Sequence, residues 1–517
     1  MNLDEIAKKT TDKIEKERLI TFLGTFIIGL CAHMFAMTHN LLTFDSMWNI
    51  YSDQDMISSG RQFLTYACLP SSFYALPWVT GLLAVFFLSI AAVLVCESLE
   101  IKGKVLCILT GGLLVTFPSV ASTFAYSYTI DGYMLAVILS VLAFLFTYKK
   151  RLGFIPGILC MCVSLGIYQA YFSFTILLCI FSILLMILRD IDFKTILNRT
   201  LRMMIMGVGG YVFYVLTLKL MLAIKGSEIS GYQGTDRLMS FSLSTIPQGF
   251  KSAWNNFYYF LRYGGVFSSA PGMKLFYLLF MALGVLLFAV LYVKRKCFKK
   301  IWTIPVILVL AMAIPFATCL ISILSPDATF HLLMRFPWVA IMVFVVALIE
   351  EAQKEEWKLL NGLFGYVPVA TAICGIIVTF TFIVSSNIVY FNLNERYEKT
   401  YGLCVRIVDH IENSAEYEPG MPVAILGGFP SSDYYPSTDI TTDDLAGYFG
   451  VEGDLVVNSS KSYQSFCSHY LGFTFNVLDI SEDENLAATE EYMEMKKFPY
   501  DGCVRVINGV LVIKLNG

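Results

Sequence analysis

The side chains able to do polar chemistry fall in a few places along this 517-residue chain. Asp45, Asp53 and Asp55 share one stretch, 40–74, with Arg61. Asp327, His331 and Arg335 recur four residues apart, a spacing that would give them one face of a helix. Asp131 opens an apolar run, and Arg262 closes another stripe of apolar residues. A carboxylate can take a proton from a hydroxyl group, and an arginine fork matches a phosphate or a carboxylate. The 13 cysteines and 5 histidines form no C-x-x-C and no cluster at metal spacing, so no zinc site is expected. Among Cys404, Cys467 and Cys503 one disulfide would leave one thiol over, and the spacing picks no pair.

These residues must be held by a chain that is 56% hydrophobic and 15% charged, with a mean hydropathy of +0.66. Soluble chains carry about 25% charged residues, so a wholly soluble enzyme is excluded. So is disorder, which needs low hydrophobicity and high net charge. A formal charge of −3 gives no case for nucleic acid. The expected class is a polytopic α-helical membrane protein. Roughly 20 apolar residues cross a bilayer, and eleven runs qualify: 19–39, 75–96, 105–124, 132–148, 152–168, 171–188, 203–224, 273–293, 302–324, 336–350 and 366–387. The segments on one side of these runs hold 21 Lys and Arg, those on the other side six. The positive-inside rule then puts the amino terminus in the cytoplasm and, after eleven passes, the carboxyl terminus outside. The first run lacks a small-x-small cleavage site and is expected to act as a signal anchor.

Residues 1–387 are accordingly read as a transmembrane domain and 388–517 as an extracytoplasmic α/β domain. In the latter, helical patterns at 401–414, 461–471 and 484–497 alternate with strand-like runs at 423–426, 454–457 and 475–480. Two β-branched runs around Asn508-Gly509 predict a hairpin. The outer loops 40–74 and 225–272 each carry a stripe of apolar residues at helical period, 56–68 and 246–261, that predicts a helix lying in the membrane interface. Lys219 is the one clear charge inside a run. Ion-coupled carriers place charged sites at mid-bilayer. Here the polar residues gather at the outer surface instead, which favours chemistry on a lipid-borne substrate.

Five motifs follow one another along the chain: Phe44-Asp45-Ser46, Ser59-Gly60-Arg61, Phe124-Ala125-Tyr126-Ser127-Tyr128-Thr129-Ile130-Asp131, Tyr168-Gln169-Ala170-Tyr171 and the closing stretch 501–515. In this order of motifs the chain resembles membrane glycosyltransferases of the GT-C fold, and more narrowly the Gtr type II glucosyltransferase family. Many relatives have two adjacent acidic residues in the first loop, whereas Asp45 is followed by Ser46, which leaves metal binding there open.

The resemblance implies an inverting hexosyltransferase in the plasma or inner membrane. A sugar, glucose by the family name, would pass from a polyprenyl phosphate carrier to a surface polysaccharide or lipid-linked glycan on the outer face. A glycosyl phosphate carries a good leaving group, so one carboxylate suffices, unlike the pair used on ordinary glycosides. On that reading Asp45 is the general base. Arg61 and Arg335, backed by His331 and Arg262, bind the donor phosphate. Asp53, Asp55 and Asp131 are candidates for an acceptor-side or second carboxylate, and no cofactor is called for. Ordinary structural roles compete with each assignment: Asp45 and Asp131 as helix caps, Asp53 and Asp55 as a solvated turn, Arg61 as a snorkelling side chain, and His331 with Arg335 as partners of Asp327. Competing functions are a lipid-glycan flippase, an O-antigen polymerase or ligase, and a receptor module. They predict, respectively, a polar path through the bundle, no appended domain, and no role for the first-loop Asp/Arg cluster.

Overall fold

The computed structural model describes residues 15–230, 245–263, 272–326, 330–356, 364–428 and 455–515. It divides into two compact units, Met1–Thr38 with Tyr51–Asn387, and His39–Ile50 with Ile388–Gly517.

Within the described residues of the first unit, eight helices are long and apolar enough to cross a membrane: Lys16–Thr38, Pro77–Leu99, Ile130–Lys149, Gln169–Leu188, Phe193–Lys225, Met273–Lys294, Leu332–Gln353 and Phe364–Glu412, the last continuing into the second unit. The run at 105–124 is not one straight span. It forms Lys104–Thr116 and Pro118–Phe124, bent by 44° at Phe117. Pro118 accounts for the break, since proline lacks an N–H and disfavours helical geometry in the residue before it; Phe117 has ψ 136°. The runs at 152–168 and 302–324 contain the shorter helices Phe154–Ile167 and Thr303–Thr318.

The helices Ile130–Lys149, Gln169–Leu188 and Leu332–Gln353 are largely enclosed by protein. Phe193–Lys225 and Met273–Lys294 instead expose Val208, Leu216, Leu220 and Val285, as helices facing lipid do. Lys219 lies on an exposed side of Phe193–Lys225. Close approach of helices rests on small residues: a Cβ at Gly111 would fall 1.8 Å from Thr25 Oγ1.

One end of the bundle is tied by Glu351, which is 2% exposed. Its carboxylate accepts from Arg189 Nε at 3.0 Å, Arg295 Nη1 at 2.8 Å and Lys354 Nζ at 2.8 Å. The same arginines donate to the carbonyls of Leu99 and Leu188, which closes off helix C-termini. Outside the spans, burial pushes the Glu355 carboxyl up, but the Arg295 hydrogen bond and charge, with Lys294, outweigh it and hold Glu355 below the usual carboxylate range.

The loop helix expected over 56–68 is not continuous. A 3-10 turn, Ile57–Ser59, ends at Gly60 in the left-handed region (φ 72°), and a separate turn of helix follows at Leu64–Ala67. Glycine reaches that conformation at no steric cost, so Gly60 breaks the helix that the apolar spacing suggests. The second predicted interfacial helix is present as Ile246–Tyr263.

The second unit has a three-stranded sheet in the order β1-β3-β2. Strand β1 (Val423–Leu426) runs parallel to β3 (Val510–Lys514), and β2 (Val504–Ile507) pairs antiparallel with β3. Asn508 and Gly509, with φ 50° and 77°, form the two-residue turn between β2 and β3. Two of the strand-like runs are not strands. Residue 454 lies outside the described residues and 455–457 are irregular. In 475–480 only Asn476 pairs, through an isolated bridge to Pro422. Apolar content alone did not separate a buried irregular segment from a strand. Cys404, Cys467 and Cys503 are free thiols buried in this unit's core, with Cys404 and Cys467 side by side.

Residues 39–50, expected with the bundle, fold with this second unit. Leu42 and Met47 explain why: they are buried among Leu403, Ile407, Val456, Tyr463 and Phe466.

Candidate active site

In the first unit, the αL turn at Gly60 delivers Arg61 to an aromatic wall at the end of the bundle opposite Glu351. Met56 and Arg61 form an isolated bridge across the turn. The Gly60 carbonyl accepts from Gln169 Nε2 at 2.9 Å and from the Tyr214 hydroxyl at 3.0 Å. Gln169 Nε2 also donates to the Ser59 carbonyl at 3.2 Å. Next to Arg61, Gln62 Nε2 donates to the Tyr214 carbonyl and Thr217 Oγ1 at 3.3 and 3.2 Å, and Phe63 N donates to the Gly166 carbonyl at 2.8 Å. A Cβ at Gly166 would meet Phe63 at 2.3 Å, so this approach requires glycine. The loop is thereby pinned to three helices on both sides of its arginine.

The Arg61 guanidinium lies 5.1 Å from the Tyr168 ring centre and 6.0 Å from that of Tyr133, and Nη1 donates to the Tyr133 hydroxyl at 3.0 Å. Tyr133 and Tyr168 stack at 4.3 Å and 14°. Tyr171 meets Tyr168 edge-on at 5.3 Å, and Phe336 meets Tyr171 at 5.5 Å. The Tyr168 and Tyr171 hydroxyls are buried and have no hydrogen-bond partner among the described residues. A cation on a ring face gains about 0.5–2 kcal/mol, more as it is desolvated. This wall can therefore hold a half-buried guanidinium in one orientation.

Arg335 is used differently. It is 8% exposed. Nη1 donates to the Asn256 carbonyl at 3.3 Å, and Nη2 donates to Asn256 Oδ1 and the Phe330 carbonyl, both at 3.1 Å. Its guanidinium also covers Phe330 at 4.7 Å and Phe260 at 5.4 Å. These contacts join Ile246–Tyr263 to the Leu332–Trp338 turn. Of the expected trio, His331 and Arg335 do not share an α-helical face: His331 is extended (φ −61°, ψ 157°) and stands at the N-cap position of a 3-10 helix that contains Arg335 and Pro337. Asp327 lies outside the described residues. Arg262 is exposed near the end of Ile246–Tyr263.

The other loop carboxylates have identifiable partners. Asp53 Oδ1 accepts from Asp55 N at 3.1 Å, an Asx turn, and Asp55 pairs with Lys225. Asp131 is 1% exposed in the first turn of Ile130–Lys149, and its Oδ1 accepts from Gly132 N at 2.9 Å. Asp131 and Tyr133 are two residues apart and so point to different sides of the helix. Tyr133 faces Arg61, whereas Asp131 faces Cys68 and Ser71. Burial, together with the Asp131 charge, pushes the Cys68 thiol well above its usual range.

Asp45 belongs to the second unit. It sits in the first turn of the helix Phe44–Trp48, where a carboxylate complements the helix dipole. Thr43 caps that helix: Ser46 N donates to Thr43 Oγ1 and Thr43 N donates to Ser46 Oγ, each at 3.2 Å. Asp45 itself is exposed, and its carbonyl accepts from Asn49 Nδ2 at 2.8 Å. Ser46, the residue next to the acid, is thus committed to the cap.

Sequence reasoning named Arg61 but did not name Tyr133 or Tyr214, and it quoted Gln169 without a role in holding the Arg61 loop. The available signal was Tyr168-Gln169-Ala170-Tyr171, a polar break between two apolar runs.

A family model described as glucosyl transferase GtrII matches residues 34–348. No curated protein and no solved structure matches the chain. The matched stretch includes Asp45, the whole Arg61 wall and Arg335.

Proposed function

Because the chain belongs to the glucosyl transferase GtrII family, we propose that this multi-pass membrane glucosyltransferase takes its sugar from a polyprenyl phosphate carrier and gives it to a cell-surface or lipid-linked glycan at the outer face. The proposal includes eleven passes, made up of the eight long helices, the bent pair and the two shorter helices. It has a cytoplasmic amino terminus and an outer carboxyl terminus.

In the reaction an acceptor hydroxyl oxygen attacks the anomeric carbon from the face opposite the phosphate. The glycosidic C–O bond forms and the C–O bond to phosphate breaks, with inversion. Asp45 takes the hydroxyl proton, and polyprenyl phosphate departs with the bonding electron pair. Arg61 binds that phosphate, and a positioned cation of this kind stabilises charge as it develops. Arg335 orders the helix Ile246–Tyr263 through Asn256 and so acts behind the donor site; His331 and Arg262 are kept as further donor-side candidates. Asp131, Asp53 and Asp55 remain candidates for contacts with the acceptor.

The observation that carries this reading is Arg61, fixed by Tyr168 and Tyr133 within the family-matched stretch. Side-selective thiol labelling tests the geography. A single cysteine at Asn49, in a background without reactive thiols, is expected to react with an impermeant maleimide added outside intact cells. Labelling only after the cytoplasm is opened would overturn the outer-face assignment.

A further inference from the structure

We propose that the carboxyl-terminal domain is the mount for the catalytic loop: it holds Asp45 in place through Leu42, Met47 and a Trp48–Lys461 contact. The inference rests on Asp45 being the base.

The helix Phe44–Trp48 has five residues. A helix this short is not stable alone, because nucleation costs more than one turn returns. Its cap, Thr43 with Ser46, is local, but its apolar side chains are not. Leu42 and Met47, 8% and 2% exposed, are part of the core built by residues of 403–411, 456–475 and 498–515. On the exposed side, Lys461 Nζ stands 5.3 Å from the centre of the Trp48 ring.

Lys461 lies on the helix Ser460–Phe466, which is itself anchored. Ser459 and Ser462 form its capping box. Ser460 Oγ accepts from Ile425 N at 3.0 Å and donates to Asp483 Oδ2 at 2.7 Å, which ties the helix to β1 and to Ile480–Ala487. A continuous set of contacts thus runs from the sheet to the Asp45 turn. The residues that receive Leu42, Met47 and Trp48 all lie beyond the end of the family match at 348. A general base works only within hydrogen-bond reach of its proton, and a small displacement costs rate. Met47, Leu42, Trp48 and Lys461 are therefore positioning residues, and the domain is part of the catalytic apparatus.

The test uses the full chain in proteoliposomes with two readouts. One is hydrogen–deuterium exchange across 39–50. The other is steady-state turnover of glucosyl phosphoryl polyprenol, with envelope glycan from the producing cell as acceptor. Met47→Ala is expected to speed exchange in 39–50, leave exchange in 168–172 unchanged, and lower kcat about tenfold or more with KM for the donor within about twofold. Met47→Leu, close in volume, is expected to restore kcat. Lys461→Ala, on the surface and harmless to the core, is expected to lower kcat about two- to fivefold with the same split. Faster exchange with wild-type kcat, or unchanged exchange in Met47→Ala, would overturn the inference; if Met47→Ala does not fold, wild-type kcat in Lys461→Ala does so. Asp45→Asn separates the two levels: activity retained there removes the base assignment, while the exchange result still decides whether the domain holds the loop.

Discussion

Replacing Arg61 by lysine keeps the charge and removes the fork. In the wild type one N–H of the guanidinium is spent on the Tyr133 hydroxyl at 3.0 Å, and the plane is held 5.1 Å from the Tyr168 ring centre. A guanidinium fork presents paired N–H groups that match two phosphate oxygens. Lysine is a point charge on a flexible stem and cannot hold the tyrosine and two phosphate oxygens at once. The loss amounts to one or two charge-assisted hydrogen bonds at about 1.5–3 kcal/mol each, of which lysine recovers part. A net loss of about 1.5–3 kcal/mol is roughly a 10- to 100-fold fall in kcat/KM for the donor. If Arg61 binds the donor phosphate, the contact exists in the ground state and strengthens as charge develops, so both KM and kcat should move. The assay is donor-dependent glucose transfer in proteoliposomes, with thermal unfolding of the same sample confirming an intact bundle. Tyr133→Phe removes only the orienting bond and should cost about five- to tenfold, in the range of about 1–1.5 kcal/mol for a single hydrogen bond. Wild-type kcat/KM in Arg61→Lys, with the fold intact, would refute the phosphate role.

Glu351→Gln leaves Arg189, Arg295 and Lys354 around a neutral amide in a site that is 2% exposed; breaking a buried ion network costs about 3–5 kcal/mol, so thermal unfolding in detergent should fall sharply while the wild type holds. The lowered Glu355 carboxyl gives a pH dependence of defined sign: its contribution is present above the carboxyl's unfolded pKa and is lost as pH falls through the depressed folded value. Melting temperature should therefore drop on acidification below about pH 4.5, and Glu355→Gln should flatten that limb. Gly60→Ala places a side chain at φ 72°, costs about 1–2 kcal/mol and shifts Arg61, so transfer should fall more than stability does.

Most of the membrane unit was legible because apolar runs of about 20 residues have few other uses. All eleven runs fall on helices, of which eight are long and apolar enough to cross a membrane by themselves. What hid from the sequence was local. Pro118 bends one run, and Gly60 interrupts an amphipathic pattern whose spacing looked helical throughout. Glu351 was invisible as an anchor because its partners were read only as basic residues that orient the chain. The arginines of the site were found by type, but their uses differ for reasons that only tertiary contacts reveal: Arg61 rests on tyrosines, whereas Arg335 is bonded to Asn256. The attachment of residues 39–50 to a core formed more than 350 residues later leaves no sequence periodicity to read.

The most direct test of the account is transfer of labelled glucose from polyprenyl phosphate to envelope glycan by the purified protein, wild type beside Asp45→Asn. The account predicts transfer with inversion by the wild type and a loss of about 100-fold or more in Asp45→Asn, the scale of a missing general base, with insertion and unfolding temperature unchanged. Transfer at the wild-type rate by Asp45→Asn, or none by a well-folded wild type given this donor, would contradict it.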